Sequence, residues 1–383
     1  MIETKTALPE GYKPGLEGVI AGVSAISEVN SERDALSYRG YVAHELAEKA
    51  TFEEVCYLLL LGKLPTSSEL KSFQAELAAQ RSLPEVMLKS LKSLPVNANP
   101  MVTVQIAVAL ASMNEPDADK TDPASNLKKA KRLVAQAPTM VAAISRIKQG
   151  KEPVPPNPKL NHAANFLAMA TGREPDPEVA RIFDSTNILY AEHGYNASTF
   201  AALVTASTLS DMHSAVVSAI GALKGPLHGG ANEAAIEMLL KIGTIDKVEP
   251  WLKATLEKKE KVMGFGHRVY KKQDSRAPFM KTLAKKMAER SGDMKLFDLS
   301  CKLEEAIKRE KNLFPNVDFH CAVTYYLMKL PIDIYTPIFA MARMPGWTAH
   351  VIEQHAANRL IRPECLYTGA KDLPFVPIQN RTN

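Results

Sequence analysis

Apolar residues recur every three to four positions through most of this 383-residue chain, and this periodicity restricts its fold more than any other feature. The pattern predicts long α-helices, whereas the alternating runs typical of β-strands are scarce. Helices are predicted over residues 43–61, 68–83, 126–146, 177–190, 197–223 and 276–290. We therefore expect an all-α fold.

Polar and proline-rich stretches separate the predicted helices. Residues 64–67, Leu-Pro-Thr-Ser, predict the end of one helix and the cap of the next. Residues 152–158 contain four prolines and predict a rigid connector. The Ala/Ser/Gly-rich residues 201–225 predict one helix of small residues, which would pack closely against another helix within the subunit or across a dimer interface.

Length and composition limit the class of protein. The chain is long enough for two domains, or for one domain with a large insertion. No apolar run reaches the ~20 residues that span a bilayer, and the first residues resemble neither a secretory nor a mitochondrial leader. We expect a cytoplasmic protein that binds no membrane.

Charge and cysteine patterns argue against nucleic acid and metal ligands. The net charge is +5, but over residues 253–261 bases alternate with acids, as on a solvated helix face, so no nucleic-acid partner is expected. The four cysteines are widely spaced without a CxxC, which predicts reduced thiols. His350 and His355 do not form the HExxH pattern, and no metal site is expected.

Residues 262–276 read V-M-G-F-G-H-R-V-Y-K-K-Q-D-S-R and concentrate groups that bind anions. The two glycines allow a ligand to approach the backbone, and Lys271 offers a point charge suited to phosphate. Arg276 offers a planar fork that fits a carboxylate. A phosphate-bearing ligand and a carboxylate would therefore meet at His267.

Two further segments each carry one ionisable residue in a small or apolar setting. Asp318 lies between Val317 and Phe319, where desolvation would raise its pKa and make it a stronger base. His228 lies in G-P-L-H-G-G-A-N, where we predict a helix start. The positive end of that helix would favour a neutral imidazole that donates one hydrogen bond.

With these motifs the chain resembles the citrate synthase family in its short bacterial and archaeal form. The similarity extends over residues 14–19, 38–41, 60–66, 191–196, 339–343, 346–347 and 362–363. It implies a two-domain helical fold. Residues 1–224 and 326–383 would form a large domain with the dimer interface, and residues 225–325 a small domain that closes over the site.

The resemblance also implies a reaction, a Claisen-type condensation of acetyl-CoA with oxaloacetate followed by thioester hydrolysis to citrate and CoA. Asp318 would take a proton from the acetyl methyl group, His228 would stabilise the enol oxygen, and His267 would donate to the ketone. No permanently bound cofactor is expected, since the CoA thioester is a co-substrate.

Ligand-binding residues are implied in the same way. Lys271 would meet the CoA phosphates, and Arg362 would reach the neighbouring subunit's site, which makes a homodimer or higher homo-oligomer necessary. The implied oxaloacetate contacts are His193, Arg276, Arg343 and Arg362. The backbone that would receive the adenine belongs to Val262, Met263, Gly264, Phe265 and Gly266.

Two alternatives stay open. A 2-methylcitrate synthase would use propionyl-CoA on the same scaffold, and one methylene discriminates by only ~1–3 kcal/mol. A non-catalytic helical assembly protein would keep the scaffold without the chemistry. The presence of His228, His267 and Asp318 argues against the second alternative.

Overall fold

The computed structural model describes residues 11–30, 35–266 and 273–381 of the chain. Helices make up most of this part, so the predicted all-α class is confirmed. Among the described residues, the named strands form one small antiparallel sheet that the sequence did not predict. Its strands, in the order β1-β2-β3, are β1 (Ser27–Asn30), β2 (Ala35–Tyr38) and β3 (Tyr41–Val42).

The α-helices follow one another through the described chain, joined mostly by short connections. The first eight are α1 (Ala43–Lys49), α2 (Phe52–Leu61), α3 (Ser67–Gln80), α4 (Glu85–Lys92), α5 (Pro100–Met113), α6 (Pro123–Lys148), α7 (His162–Thr171) and α8 (Pro177–Tyr190). The next eight are α9 (Ala197–Ser207), α10 (Met212–Leu223), α11 (Ala231–Ile242), α12 (Val248–Glu257), α13 (Ala277–Ser291), α14 (Lys295–Lys311), α15 (Val317–Leu327) and α16 (Tyr335–Ala356). Short 3-10 helices occupy Pro14–Leu16, Ile245–Lys247, Ile332–Ile334 and Ile378–Asn380.

Side-chain caps set several helix boundaries. The hydroxyl of Thr66 accepts from Glu69 N–H, and the Glu69 side chain bonds back to Thr66 N–H, which confirms the cap predicted over residues 64–67. The same reciprocal cap at Thr51 begins α2. The single helix predicted over residues 43–61 is therefore wrong, because Thr51 starts a second helix inside it.

The predicted single helix over residues 197–223 is also wrong. The chain turns at Leu209, which has a φ of 63°, and Asp211 caps the new helix α10. Helices α9 and α10 then pack against each other, and Thr205 Oγ1 donates to Ser218 Oγ across the pair at 2.8 Å. Close packing of these small residues thus occurs within the chain, and their packing across a dimer interface, which the family resemblance favours, stays a prediction.

Helix α16 lies at the centre of the core. All its residues from Tyr335 to Val351 are buried, as expected for a helix surrounded by other helices. Gly346 allows this helix to approach the chain that follows α8, since a Cβ there would overlap Ala191 O and Glu192 Oε2. The close approach brings Arg343 to the end of α8.

The chain divides into two compact units. Ser24–Leu360 contains the sheet and α1 to α16. The other unit comprises Met1–Val23 and Ile361–Asn383, and its described part exposes large apolar side chains, among them Ile20 and Phe375. The predicted domains, residues 1–224 with 326–383 and residues 225–325, stay a prediction. None of the described helices is both long and apolar enough to cross a membrane.

Candidate active site

Asp318 lies in the first turn of α15, where it is buried with 8% of its surface exposed. The side chain of Asn316 caps this turn and accepts from Asp318 N–H at 3.1 Å. Tyr190 O–H donates to Asp318 Oδ1 at 2.6 Å. Burial raises the pKa of Asp318 to about 6, against the lowering effects of the Tyr190 hydrogen bond and the Arg276 charge.

The glycine loop is bound to the segment that leads into α15. Gly266 N–H donates to Phe314 O, and Asn316 N–H donates to Gly264 O, each at 2.9 Å. The rings of Phe265 and Phe319 lie 4.6 Å apart. The structure thus brings the loop next to Asp318.

The structure describes the predicted adenine-binding residues of the glycine loop but not the two predicted residues that follow it. Met263 and Val262 pack against the core, continuing the loop of Gly264, Phe265 and Gly266. His267 and Lys271 lie outside the described residues, so their roles stay predictions.

Arg276 is the N-cap residue of α13, and its guanidinium is buried against an acid. Its Nε donates to Asp274 Oδ1 at 3.0 Å and its Nη2 donates to Oδ2 at 2.8 Å, a bidentate pair. Asp274 also accepts from Val317 N–H at 3.2 Å, which connects the pair to α15. The fork expected to bind a ligand carboxylate is therefore already paired with a carboxylate of the chain.

Arg343 lies in α16 and is 1% exposed. Its Nε donates to Tyr190 O, and its guanidinium carbon lies 5.0 Å from the centroid of the Phe339 ring. Among the described residues, Nη1 has no hydrogen-bond partner. Burial lowers the pKa of Arg343 to about 10, so the group stays charged near neutral pH.

The C-terminal end of α8 contacts both guanidiniums. Leu189 O accepts from Arg276 Nη1 at 3.4 Å, and Tyr190 O accepts from Arg343. The last carbonyls of a helix lack partners within it and carry its negative dipole end. This helix end therefore partly balances two buried cations.

His228 lies three residues before α11, which begins at Ala231. Its Nε2 is 2.9 Å from Ser198 Oγ, to which Trp347 Nε1 also donates at 3.1 Å. Burial lowers the pKa of His228 to about 4, with a contribution from the charge of Arg343. The helix start predicted within G-P-L-H-G-G-A-N is confirmed, since α11 begins at Ala231, and burial is the main cause that keeps the imidazole neutral.

Phe339 connects the groups of the site. Its ring centroid lies 4.2 Å from that of Tyr190 and 6.2 Å from that of His228, and Arg343 lies over its face. Because Tyr190 also binds Asp318, the carboxylate of Asp318, the imidazole of His228 and the guanidinium of Arg343 all lie around the ring pair of Tyr190 and Phe339.

Two further predicted ligand residues lie elsewhere along the chain. His193 is buried in the connection between α8 and α9. Arg362 belongs to the unit formed by the chain ends and is exposed. Neither role is tested by these positions.

The sequence did not predict Tyr190, Asp274 or Ser198 as parts of the site. Asp274 could have been found, since an acid two residues before Arg276 is within reach of the guanidinium. Tyr190 is 128 positions from Asp318 and Ser198 is 30 from His228, so only the fold brings each pair together.

Together, Asp318, His228 and the two buried arginines could abstract a proton from one ligand while binding a second, anionic ligand. A carboxylate with a raised pKa is a base, a neutral imidazole can donate to a developing enol oxygen, and buried guanidiniums attract carboxylates. No cluster of His, Cys, Asp and Glu that could hold a metal ion occurs within residues 11–30, 35–266 and 273–381.

A family model described as "Citrate synthase, C-terminal domain" matches residues 15–364, which is most of the chain. The chain belongs to the citrate synthase family. A citrate synthase from Haloferax volcanii is 48% identical over 375 residues, covering 96% of this chain and 99% of the relative. These matches indicate an enzyme that transfers acyl groups to make citrate.

Two more comparisons bear on the acyl donor and the ligands of the family. A 2-methylcitrate synthase from Mycobacterium tuberculosis is 45% identical over 357 residues, covering 93% of this chain and 90% of the relative. Citrate synthase from Thermoplasma acidophilum, solved as a ternary complex with carboxymethyl coenzyme A and oxaloacetate, matches with a TM-score of 0.91 at 34% identity, covering 96% of this chain and 99% of that one. Family membership therefore does not choose between acetyl and propionyl donors.

Proposed function

We propose that this member of the citrate synthase family condenses acetyl-CoA with oxaloacetate and hydrolyses the citryl thioester to citrate and CoA. The observation that carries the proposal is the buried Asp318 carboxylate, held at one oxygen by Tyr190 and placed near two buried guanidiniums. The Thermoplasma relative, solved with oxaloacetate and carboxymethyl coenzyme A, supports oxaloacetate and a coenzyme A derivative as the ligands.

Asp318 is the base of the proposed first step. It takes a proton from the acetyl methyl group, and the electron pair of the broken C–H bond moves into the enol while the thioester oxygen gains charge. The raised pKa makes Asp318 a stronger base than an exposed aspartate, yet near neutral pH most of it is ionised. The burial that raises the pKa also keeps water from the reacting carbon.

His228 is the proposed donor to the enol oxygen, and this role sets the position of its proton. Ser198 Oγ lies 2.9 Å from His228 Nε2 and 2.7 Å from Asn196 Oδ1, and its hydroxyl has one proton to donate. Trp347 fills one acceptor site of that oxygen. In this structure the Ser198 hydroxyl donates to Asn196 Oδ1; for Nδ1 to carry the imidazole proton and donate to the enol, that hydroxyl must turn and donate to His228 Nε2 instead.

The cations hold the proposed dicarboxylate. Arg343 Nη1 is buried and has no hydrogen-bond partner among the described residues, so a ligand carboxylate that reached it would accept from it without breaking an existing bond. Arg276 is paired with Asp274, which fixes the orientation of its guanidinium, so it would attract the ligand mainly through its charge. His193 and, from the partner subunit of a homodimer, Arg362 would complete the oxaloacetate site.

The remaining roles follow the same reaction. His267 donates to the ketone of oxaloacetate, and the enol carbon attacks the carbonyl carbon to form the new C–C bond. Lys271 binds the CoA phosphates, and the backbone of residues 262–266 receives the adenine. The proposed location is the cytoplasm, and the chemistry needs no permanently bound cofactor.

Thiol release by the purified protein tests the proposal. Oxaloacetate is offered with acetyl-CoA or with propionyl-CoA, and free CoA is measured over time. Fast release with acetyl-CoA is expected, and Asp318→Asn should lower kcat by about 100-fold or more because the base is lost. Asp298→Asn, on the exposed face of α14, is the matched control and should retain activity.

The 2-methylcitrate synthase from Mycobacterium tuberculosis supports a second candidate function. If kcat/KM with propionyl-CoA equals or exceeds that with acetyl-CoA, the chain is a 2-methylcitrate synthase. If the protein releases no CoA with either thioester although circular dichroism shows that it is folded, the non-catalytic assembly protein would be favoured.

A further inference from the structure

Tyr190 makes three contacts that meet at the site. Its hydroxyl donates to Asp318 Oδ1, its main-chain carbonyl accepts from Arg343, and its ring lies 4.2 Å from that of Phe339. It is the last residue of α8 and is fully buried, so its side chain has little room to rotate. One residue therefore connects the proposed base with a proposed substrate-binding cation.

We propose that Tyr190 is a positioning residue for Asp318, which fixes Oδ1 so that Oδ2 alone faces the substrate methyl group. This inference rests on the proposed condensation. Among the described residues, Asp318 makes no second hydrogen bond through its carboxylate. The single bond from Tyr190 thus sets both the rotation of the carboxylate and the oxygen that acts as the base.

The phenol is a suitable partner because it stays protonated. Burial raises the pKa of Tyr190 well above its ordinary value, so the hydroxyl remains a donor throughout the working pH range. A hydrogen bond from a neutral donor to a carboxylate stabilises the ionised form. Without Tyr190, the burial of Asp318 would raise its pKa further.

Other groups also affect the pKa of Asp318, and a test must distinguish their effects from that of Tyr190. Asp274 and Arg276 lie before α13, and Arg343 lies on α16; all three act on Asp318 through charge. On α15 itself, Cys321 and Tyr325 lie near, and burial raises the pKa of both so that they stay neutral. Tyr190 is the group among these that donates a hydrogen bond to the carboxylate.

Tyr190→Phe tests the role with the smallest change. It removes only the hydroxyl and keeps both the ring against Phe339 and the carbonyl that binds Arg343. Tyr325→Phe is the matched control. It removes an equally buried phenol hydroxyl near Asp318, which lies 3.2 Å from Thr186 Oγ1 and, among the described residues, makes no hydrogen bond to the Asp318 carboxylate.

The pH dependence of kcat/KM is measured for the wild type and both variants. On the acid side of the profile, which we call the acid limb, kcat/KM falls as Asp318 is protonated. In Tyr190→Phe this fall should occur about one pH unit higher, because the loss of a hydrogen bond to the carboxylate raises the pKa of Asp318. Its kcat should fall near neutral pH, while the KM for oxaloacetate stays unchanged. Tyr325→Phe should leave the limb in place. An unchanged limb in Tyr190→Phe, even with a lower kcat, would overturn the proposal and leave Tyr190 a packing residue.

A readout without substrate separates this inference from the proposed function. The infrared band of protonated carboxyl groups is titrated in the free enzyme, and Asp318→Asn identifies the contribution of Asp318. If the wild type releases no CoA with either thioester, the proposed function fails. The titration then decides about Tyr190 alone: an upward shift of the Asp318 midpoint in Tyr190→Phe supports its role, and no shift refutes it.

Discussion

Gly264 and Gly266 provide a matched test of how closely the glycine loop must pack against α15. Their φ values are 82° and 81°, so alanine at either position carries the same left-handed backbone. The two positions differ in the room available for a side chain. A Cβ on Gly264 would lie 2.9 Å from both Cβ and Cδ2 of Phe319, whereas no described atom lies within 4 Å of a Cβ on Gly266.

The magnitudes follow from these two facts. The left-handed conformation costs an alanine roughly 1–2 kcal/mol at either position. At Gly264 the extra methyl must also displace Phe319, which is fully buried and whose ring lies tilted against that of Phe265, and overpacking of this kind costs about 1–3 kcal/mol more. For a chain of 383 residues, these energies correspond to midpoint shifts of roughly 1–3 °C for Gly266→Ala and 2–6 °C for Gly264→Ala.

Thermal unfolding at one scan rate and one protein concentration measures the difference between the two variants. Gly264→Ala should also lower kcat, because Phe319 is the neighbour of Asp318 in α15. Equal midpoint shifts in the two variants would refute the reasoning that the contact with Phe319 fixes the loop.

Three further predictions follow from the site. Since the base must be ionised, kcat/KM should fall about tenfold per pH unit below about pH 6 as Asp318 is protonated, and a flat profile down to about pH 5 would exclude it as the base. Arg343→Lys should raise the KM for oxaloacetate about 10-fold to 100-fold, since the point charge of a lysine ammonium lacks the planar fork that can bond Tyr190 O through Nε and a carboxylate through Nη1, while Arg309→Lys on the surface should not. Arg362→Ala should impair oxaloacetate use, and mixed dimers with Asp318→Asn should recover activity; no recovery would exclude a site shared between subunits.

The helices could be predicted where local signals agree. The predicted bounds 177–190 are those of α8, because Asp176 caps the helix and Pro177 fits its first turn. The break at Thr51 was missed because the apolar periodicity continues through it, although the capping box with Glu54 is present in the sequence. The turn at Leu209 has no glycine or proline to indicate it.

The site could be predicted only as far as its local motifs reach. His228 and Asp318 stand out because each is an ionisable residue among small or apolar neighbours. Their environment depends on residues far along the chain, since Arg343 helps to lower the pKa of His228 and Tyr190 binds Asp318. No periodicity or spacing indicates which helix ends will meet.

Charge balance connects these observations. Arg276 and Arg343 are both buried; Arg276 is bonded to the Asp274 carboxylate, and both guanidiniums bond to the carbonyl end of α8. The positive charges of Arg276 and Arg343 lower the pKa of Asp318 in the free enzyme, against the raising effects of burial and of Asp274. A bound dicarboxylate would neutralise that charge and repel the ionised Asp318.

The pKa of Asp318 should therefore be higher in the substrate complex than in the free enzyme, which makes it a stronger base when the thioester is in place. The acid limb of kcat reports the complex and that of kcat/KM reports the free enzyme. With oxaloacetate saturating, kcat should begin to fall on the acid side at a higher pH than kcat/KM does. If the two limbs coincide, the buried guanidiniums do not control the base, and the balance of charges at the end of α8 serves binding alone.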